Sequence, residues 1–403
     1  LVSNDPLSYA SPDFHENIES ETKRLLTIQT LDLVPEDIID TAIAESFSIY
    51  YSHIWPRREC SNTFIRKPPN IEKMQKQLEH LRSIPQPEQR TSEWYEFRHN
   101  YITASSAWKA FSSQSQKNQL IYDKCCPHDP TKYQSTGNLD SPLQWGVRYE
   151  PISIMWYELV YNTKIDDFGC LPHSSIQCLA ASPDGINIDA NSMRFGRMLE
   201  VKNIVNREIN GKPKLEYWIQ MQLQMEVCEL NECDFLETRF KEYENHDDFI
   251  QDGTFQRTNE DKIKGTIVQF ADNNVPVYEY APLDITEDKY NKWEISIMEK
   301  NNSLTWIRNI HWYLDEISCI LVLRNKFWFS VAKPVIEDIW KVIEEERVNG
   351  YEHRGPKKRK VSNHLSSTIK TPQCHINTEA LINPNKPIAS TKVPVITIDT
   401  ECL

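Results

Sequence analysis

The chain lacks an excess of positive charge: across 403 residues, 45 Lys and Arg stand against 58 Asp and Glu, a formal net charge of −13. Histone-like attraction to nucleic acid by bulk charge is thereby excluded, and any DNA contact has to come from local basic groups or backbone donors. Long hydrophobic runs are missing too. The longest lies near Ile317 to Leu323, far below the ~20 residues a membrane helix needs. The opening segment, Leu1 to Ala10, is mixed polar and does not read as a signal peptide, so an intracellular protein with no membrane partner is expected. Leu1 in place of Met suggests a trimmed or partial sequence. The ten cysteines, Cys125 and Cys126 among them, form no CxxC pair and no small-domain spacing, which points to reduced thiols rather than a disulfide or zinc framework. No internal repeat is visible. What is present, 39% hydrophobic and 26% charged residues, suits a folded chain with one large domain plus extras, or two domains.

Four zones follow along the chain. Residues 1–90 carry helix-like periodicity, first Ile38, Ile39, Ala42, Ile43 and Phe47, then Ile71, Met74, Leu78 and Leu81, broken by Pro35, Pro56, Pro68 and Pro69. A helical N-terminal extension is predicted there. From Trp94 to about Phe240 the pattern changes to short strands, glycine turns and helices. From about Gly265 to Glu346 a strand pair is expected to precede helices rich in Trp (Trp293, Trp306, Trp312, Trp328, Trp340), whose rings read as core. Residues 91–350 are thus expected to form one domain that includes these Trp-rich C-terminal helices. Residues 354–403 have few large apolar groups and several prolines, and predict a disordered tail. That tail holds eight basic residues against three acidic ones, so residues 1–353 carry −18. Its run of Lys357, Lys358, Arg359 and Lys360 in PKKRKV reads as a nuclear-import signal, or alternatively as an auxiliary DNA contact.

The chemistry is concentrated in the middle. CLAASPDGINI is a strand-like stretch ending at Asp184 and Gly185, followed by RMLEVKN, a second strand with Glu200 and Lys202. Alternation puts Glu200 and Lys202 on one face and Leu199 and Val201 on the other. If the strands are neighbours, Asp184 and Glu200 converge beside Lys202. Two carboxylates on one face repel unless a cation lies between them, and an oxygen-only site suits Mg²⁺ or Mn²⁺, which polarise a phosphodiester and activate water. The lysine would orient or deprotonate that water, or stabilise developing charge. Taken alone, a solvated strand explains an acidic-x-basic triplet equally well.

Three further segments add to this. QWGVRYEP places Glu150 at the expected start of a helix, where it would supply a third carboxylate or simply favour the helix dipole. WYEFRHNYITASSAWKAF brings Arg98 close to Thr103, Ser105 and Ser106, candidate caps for a following helix; an arginine fork, hydroxyls and a helix N-terminus suit a phosphate. LEYWIQMQLQMEVC is a helix with Tyr217, Gln220 and Gln224 on one stripe and Trp218, Met221 and Met225 on another. Glutamines on a well-buried helix need partners, and an adjacent active site would supply them.

In order, RHNYITAS, WGVRYE, SPDG, LEVK and YWIQMQLQM resemble the motifs of phage lambda exonuclease-type (YqaJ-like) viral recombinase nucleases, a branch of the PD-(D/E)xK superfamily that includes the alkaline nucleases of large insect DNA viruses. The resemblance implies an α/β (α+β) restriction-endonuclease-like core, a mixed sheet flanked by helices, with a cleft or tunnel that admits one strand end. It implies Asp184, Glu200 and the carbonyl of Val201 as metal ligands and Glu150 as ligand or positioner of a second ion. Lys202 would act on the water, with Gln220 supporting the site. Arg98, Ser105 and Ser182, with Thr103 nearby, would form the pocket for a terminal 5′-phosphate, and Arg207 would be a further phosphate contact.

The expected activity is a Mg²⁺-dependent deoxyribonuclease, 5′-to-3′ on double-stranded DNA ends, working with two ions and leaving 5′-phosphate products. A single-strand-binding, annealing partner and a location in the host nucleus complete the expectation. A structure-specific endonuclease or RNA-degrading nuclease on the same fold, a non-catalytic DNA-binding subunit, and a nuclear scaffold are the alternatives. The added N-terminal helices, Trp-rich region and basic tail put the ring assembly of the phage enzymes in doubt.

Overall fold

The computed structural model describes residues 5–53, 57–61, 68–87, 89, 91–127, 142–273 and 275–355. The predicted tail begins two residues too early, since Arg354 and Gly355 are described and Arg354 pairs with Glu346; from 356 on, the import run Lys357 to Lys360 included, it lies outside the described residues.

The chain opens with helices α1 (Phe14–Gln29) and α2 (Glu36–His53), the short strand β1 (Cys60–Ser61), and α3 (Ile71–Ser83). Then come α4 (Ser92–His99), β2 (Ile102–Thr103), α5 (Ala104–Ala107), α6 (Gln114–Cys125) and α7 (Pro142–Tyr161). Strands β3 (Ile165–Asp166), β4 (Leu171–Pro172), β5 (Leu179–Ala181), β6 (Gly185–Asn187) and β7 (Met198–Asn203) lead to α8 (Leu215–Val227) and β8 (Glu232–Glu242). The C-terminal part contains α9 (His246–Gln251), β9 (Lys264–Asp272), β10 (Val275–Tyr280), α10 (Glu287–Lys300), β11 (Thr305–Leu323) and α11 (Lys326–Asn349).

The main sheet is mixed, in the order β10-β9-β11-β8-β7-β6-β3, with β1 added to β11. Strands β7 and β8 are parallel and joined through α8, while β6 and β7 are antiparallel. A smaller sheet, β2-β5-β4, lies beside it. This is the mixed α/β architecture that the motifs imply.

Alternation along β7 decides which helix covers which face. Leu199 and Val201 pack with Tyr157 of α7 and Leu236 of β8. Met198 instead joins the large core, where Trp218, Met221 and Met225 of α8 are buried. Glu200 and Lys202 therefore look toward α8. Gly185, which opens β6, is required by close packing: a Cβ there would stand 2.2 Å from Ile165 Cγ2 of the neighbouring strand.

The N-terminal helices share this core. Tyr9, Phe14, Leu78 and Leu81 belong to the same cluster as Trp218 and Trp328. Arg58, fully buried, donates to the carbonyls of Ala10 (3.1 Å) and Pro213 (2.5 Å) and stacks over Trp218, whose Nε1 donates to the Arg58 carbonyl at 3.0 Å.

Two local expectations are corrected. Trp306 and Trp312 lie on β11, a strand that runs through the apolar stretch Ile317 to Leu323, and not on helices. Its inward residues Ile310, Trp312 and Leu314 alternate with period two, and this alternation prevails over the bulk of the rings. Glu150 does not start a helix. The helix begins at Pro142, a residue suited to a first turn, and helical spacing of the core residues Tyr149 and Ile152 carries it through the internal Pro151. No helix among the described residues is long and apolar enough to cross a membrane.

Candidate active site

The SPDG turn delivers Asp184 to the head of β6, where its Oδ2 accepts the Val201 amide at 2.8 Å. Glu200, the residue before Val201, is fully buried. Its Oε1 accepts from Gln220 Nε2 at 2.7 Å and pairs with Lys202 Nζ, and its Oε2 accepts from Gln224 Nε2 at 2.7 Å. The two glutamines, one turn apart on α8, thus both find their partner in one carboxylate, as helical i,i+4 spacing allows.

Burial pushes the Asp184 carboxyl well above the usual carboxylate range. Glu200 and Glu150 add repulsion, and Lys202 and the Val201 amide offset only part of it. For Lys202 burial works the other way, but the negative charge of Glu200 and Asp184 prevails and raises the ammonium pKa. Glu150 and Asp184 line the same cleft, of about 690 Å³.

The donor chemistry fits a hard divalent cation. The candidate ligands at the site are oxygens; the buried Gln224 Oε1 has no hydrogen-bond partner among the described residues, and Asp184 is destabilised as an anion by its carboxylate neighbours. As they stand, the side chains make a pair and not a closed cage. Among the described residues no three His, Cys, Asp or Glu groups gather closely enough to hold an ion, Glu200 being turned onto Lys202 and the two glutamines.

The second half of the site is cationic. Arg98, packed over the Trp94 ring at 4.3 Å, donates from Nη2 to Ser105 Oγ at 3.0 Å and from Nη1 to Ser182 Oγ at 3.4 Å. Thr103 Oγ1 lies 3.1 Å from Ser106 Oγ and 3.4 Å from Ser105 Oγ. The anticipated capped helix is only the four residues of α5, and Thr103 at its N-cap makes no side-chain cap bond. The hydroxyls are therefore committed to one another and to Arg98, and a helix dipole adds little. Ser182 links the two halves: its carbonyl accepts from Gln224 Nε2 at 3.1 Å, the same nitrogen that serves Glu200. Gln224 is thus a site residue that the sequence placed only on a polar stripe; its spacing of four from Gln220 was the available signal.

Arg207 is brought near the site but is already engaged, forming an ion pair with the buried Glu237 of β8, which stands directly across from Lys202. Burial raises the Glu237 carboxyl pKa, and Arg207 draws it part of the way back. Both Arg207 and Lys202 lie over the Tyr217 ring, at 5.4 and 5.2 Å.

The segment that carries these groups from Arg98 to Gln224, residues 93–231, matches the YqaJ-like viral recombinase domain. The chain is also similar to the uncharacterized protein R354 of Acanthamoeba polyphaga mimivirus, with 30% identity over 349 residues, 76% of this chain and 60% of that protein. The chain therefore spans 60% of the length of the curated relative it matches. Among solved structures it is similar to the alkaline exonuclease LHK-Exo from Laribacter hongkongensis (17% identity, TM-score 0.38, covering 64% of this chain and 94% of that one). LHK-Exo in complex with dAMP gives 16% identity and a TM-score of 0.37 over the same shares, 64% and 94%. A phage related exonuclease from Haemophilus somnus gives 11% and 0.33, covering 62% of this chain and 96% of that one.

Proposed function

We propose that the protein is a divalent-metal-dependent deoxyribonuclease that degrades duplex DNA from 5′-phosphorylated ends in viral recombination or replication. One observation carries this reading: Ser182, in the wall of a cation-hydroxyl pocket, and Asp184, in the carboxylate pair, are two residues apart, and Gln224 bonds to both the Ser182 carbonyl and Glu200. A monoester held by Arg98 would then present the adjacent phosphodiester to the carboxylates. The match to the viral recombinase family supports the same reading.

Asp184, Glu200 and the Val201 carbonyl would hold Mg²⁺, with Glu150 across the cleft serving a second ion. When bound, the ions supply Lewis acidity at the phosphoryl oxygen and a water of lowered pKa. Gln220 and Gln224 fix the Glu200 carboxylate, so that its orientation does not depend on the substrate. Lys202, tethered beside Glu200, moves a proton at Nζ or stabilises charge on the phosphoryl oxygens. Arg98, Ser105 and Ser182 hold the end group, with Thr103 fixing the hydroxyls, and a strand entering by its 3′ end has no monoester to offer them. Arg207, released from Glu237, is placed to meet a flanking phosphate. Resection in this direction leaves a 3′-ended single strand, which calls for a strand-binding, annealing partner. Import through Lys357 to Lys360 would bring the enzyme to nuclear DNA.

The test is order of release. A linear duplex with a 5′-phosphate is labelled in one preparation at the 5′ terminal nucleotide and in another at the 3′ terminal one, then digested in Mg²⁺. The 5′ label is expected first, as a 5′-mononucleotide. Release of the 3′ label first would overturn the polarity.

A further inference from the structure

Lys124, near the end of α6, is a buried lysine for which neither the carboxylate pair nor the Arg98 fork accounts; it is only 9% exposed. Its Nζ donates to the Arg98 carbonyl at 2.7 Å, and it lines, with Arg98, Thr103, Ser105 and Lys109, a cavity of about 470 Å³. Its own carbonyl is clamped by Arg347 of α11, which donates to it from Nε at 3.0 Å and from Nη2 at 2.8 Å. The backbone of Lys124 is thus held by Arg347, and its ammonium by the Arg98 carbonyl. Among the described residues no carboxylate forms an ion pair with it; the nearby Asp123 pairs with Lys109 instead, at 3.4 Å.

A buried ammonium that feels two arginines and has no paired carboxylate among the described residues is in a position short of negative charge. Burial pushes the Lys124 pKa down to about 7, Arg98 and Arg347 push it the same way, and Cys170 and Asp123 offset only part of this. A terminal phosphate monoester, with close to two negative charges, is an anion of the size and charge that would relieve the deficit. A hydroxyl end carries none.

We infer that Lys124 is the second cation of the terminal-phosphate pocket and sets its preference for a 5′-phosphate over a 5′-hydroxyl end. The inference rests on the reading of the Arg98 pocket proposed above and adds a residue to it. The competing role is mechanical: Lys124 would merely bond the Arg98 carbonyl and hold α4 against α6.

The experiment compares kcat/KM of the full chain on linear duplexes with 5′-phosphate and 5′-hydroxyl ends, for the wild type, Lys124→Met, Lys124→Gln and Arg98→Ala. Methionine keeps the length of the side chain, and glutamine also keeps a donor for the Arg98 carbonyl, so at least one variant retains the local packing. The phosphate-to-hydroxyl ratio is expected to fall by about ten-fold or more in both Lys124 variants, the effect of losing one charge-assisted bond to the end group. A fall in rate on both ends with the ratio unchanged would make Lys124 a brace and overturn the inference. The pocket itself would stand in that case if Arg98→Ala still lowers the ratio. A wild-type ratio near one would overturn the pocket, and the inference with it.

Discussion

Asp184→Asn is the substitution for which the structure fixes the sign of the effect on stability. Asparagine has nearly the volume of aspartate and can still accept the Val201 amide, which reaches Asp184 Oδ2 at 2.8 Å. What disappears is a carboxylate that burial, Glu200 and Glu150 hold well above its usual pKa. A group that binds its proton more tightly when folded stabilises the protein as pH falls toward the raised value and weakens it above that. Every tenfold gain in proton affinity on folding is worth about 1.4 kcal/mol, and for a chain of this size that is a change in Tm of roughly 1–2 °C. In EDTA at pH 8 the variant should therefore melt above the wild type, with the gap closing as pH is lowered. Mg²⁺ should reverse the order: an ion at about a hundred times its Kd adds about 2.7 kcal/mol to a protein that binds it, and the variant lacks a ligand. Cleavage should fall to background. Calorimetry of both proteins, in EDTA and in Mg²⁺ at pH 6 and pH 8, checks all four signs. A variant that melts lower than wild type in EDTA at pH 8, or gains as much from Mg²⁺, refutes the reasoning.

Lys202→Met should lower cleavage by about a hundred-fold or more and flatten a wild-type rate that otherwise climbs from pH 6 to pH 9, because Glu200 and Asp184 hold the metal-free ammonium charged and bound Mg²⁺ would bring its pKa down; a wild-type profile already flat over that range contradicts the proton-transfer role. Gln224→Leu removes the donor shared by Glu200 Oε2 and the Ser182 carbonyl, so a loss of about 1–3 kcal/mol in denaturant unfolding should accompany slower cleavage; full activity would separate Gln224 from the site. Replacing Lys357, Lys358, Arg359 and Lys360 with alanine should move a fluorescent fusion out of the nucleus and leave digestion of short duplexes as before. Weaker, less salt-sensitive digestion with unchanged localisation would make the run a DNA contact.

The legible parts of the site were those encoded over short distances. Asp184, Glu200 and Lys202 lie on neighbouring antiparallel strands, where period-two alternation alone assigns faces, and Gln220 and Gln224 sit one helical turn apart. Contacts between distant segments left no local pattern. The bond from Lys124 to Arg98 spans 26 positions and the clamp from Arg347 spans 223. The Trp-rich region was read as helical because its rings suggested core without deciding the period. On β11, pairing with β8 and β9 on either side fixes an extended backbone. The start of α7 was placed too late because a Pro inside a helix usually marks a boundary, whereas Pro151 is carried by the buried aromatic spacing around it.

That the Asp184–Glu200 pair cuts DNA only from an end and only with a divalent cation is the reading proposed above. It is tested most directly by one digestion series, offering the wild-type chain a 5′-phosphorylated linear duplex and a covalently closed circle of the same sequence, each in Mg²⁺ and in EDTA, with Glu200→Gln as control. The linear duplex is expected to be resected in Mg²⁺ alone, releasing 5′-mononucleotides and leaving 3′-ended single strands, while the circle stays intact throughout and Glu200→Gln leaves both untouched. Nicking of the circle, or loss of the linear duplex in EDTA or with Glu200→Gln, would contradict it.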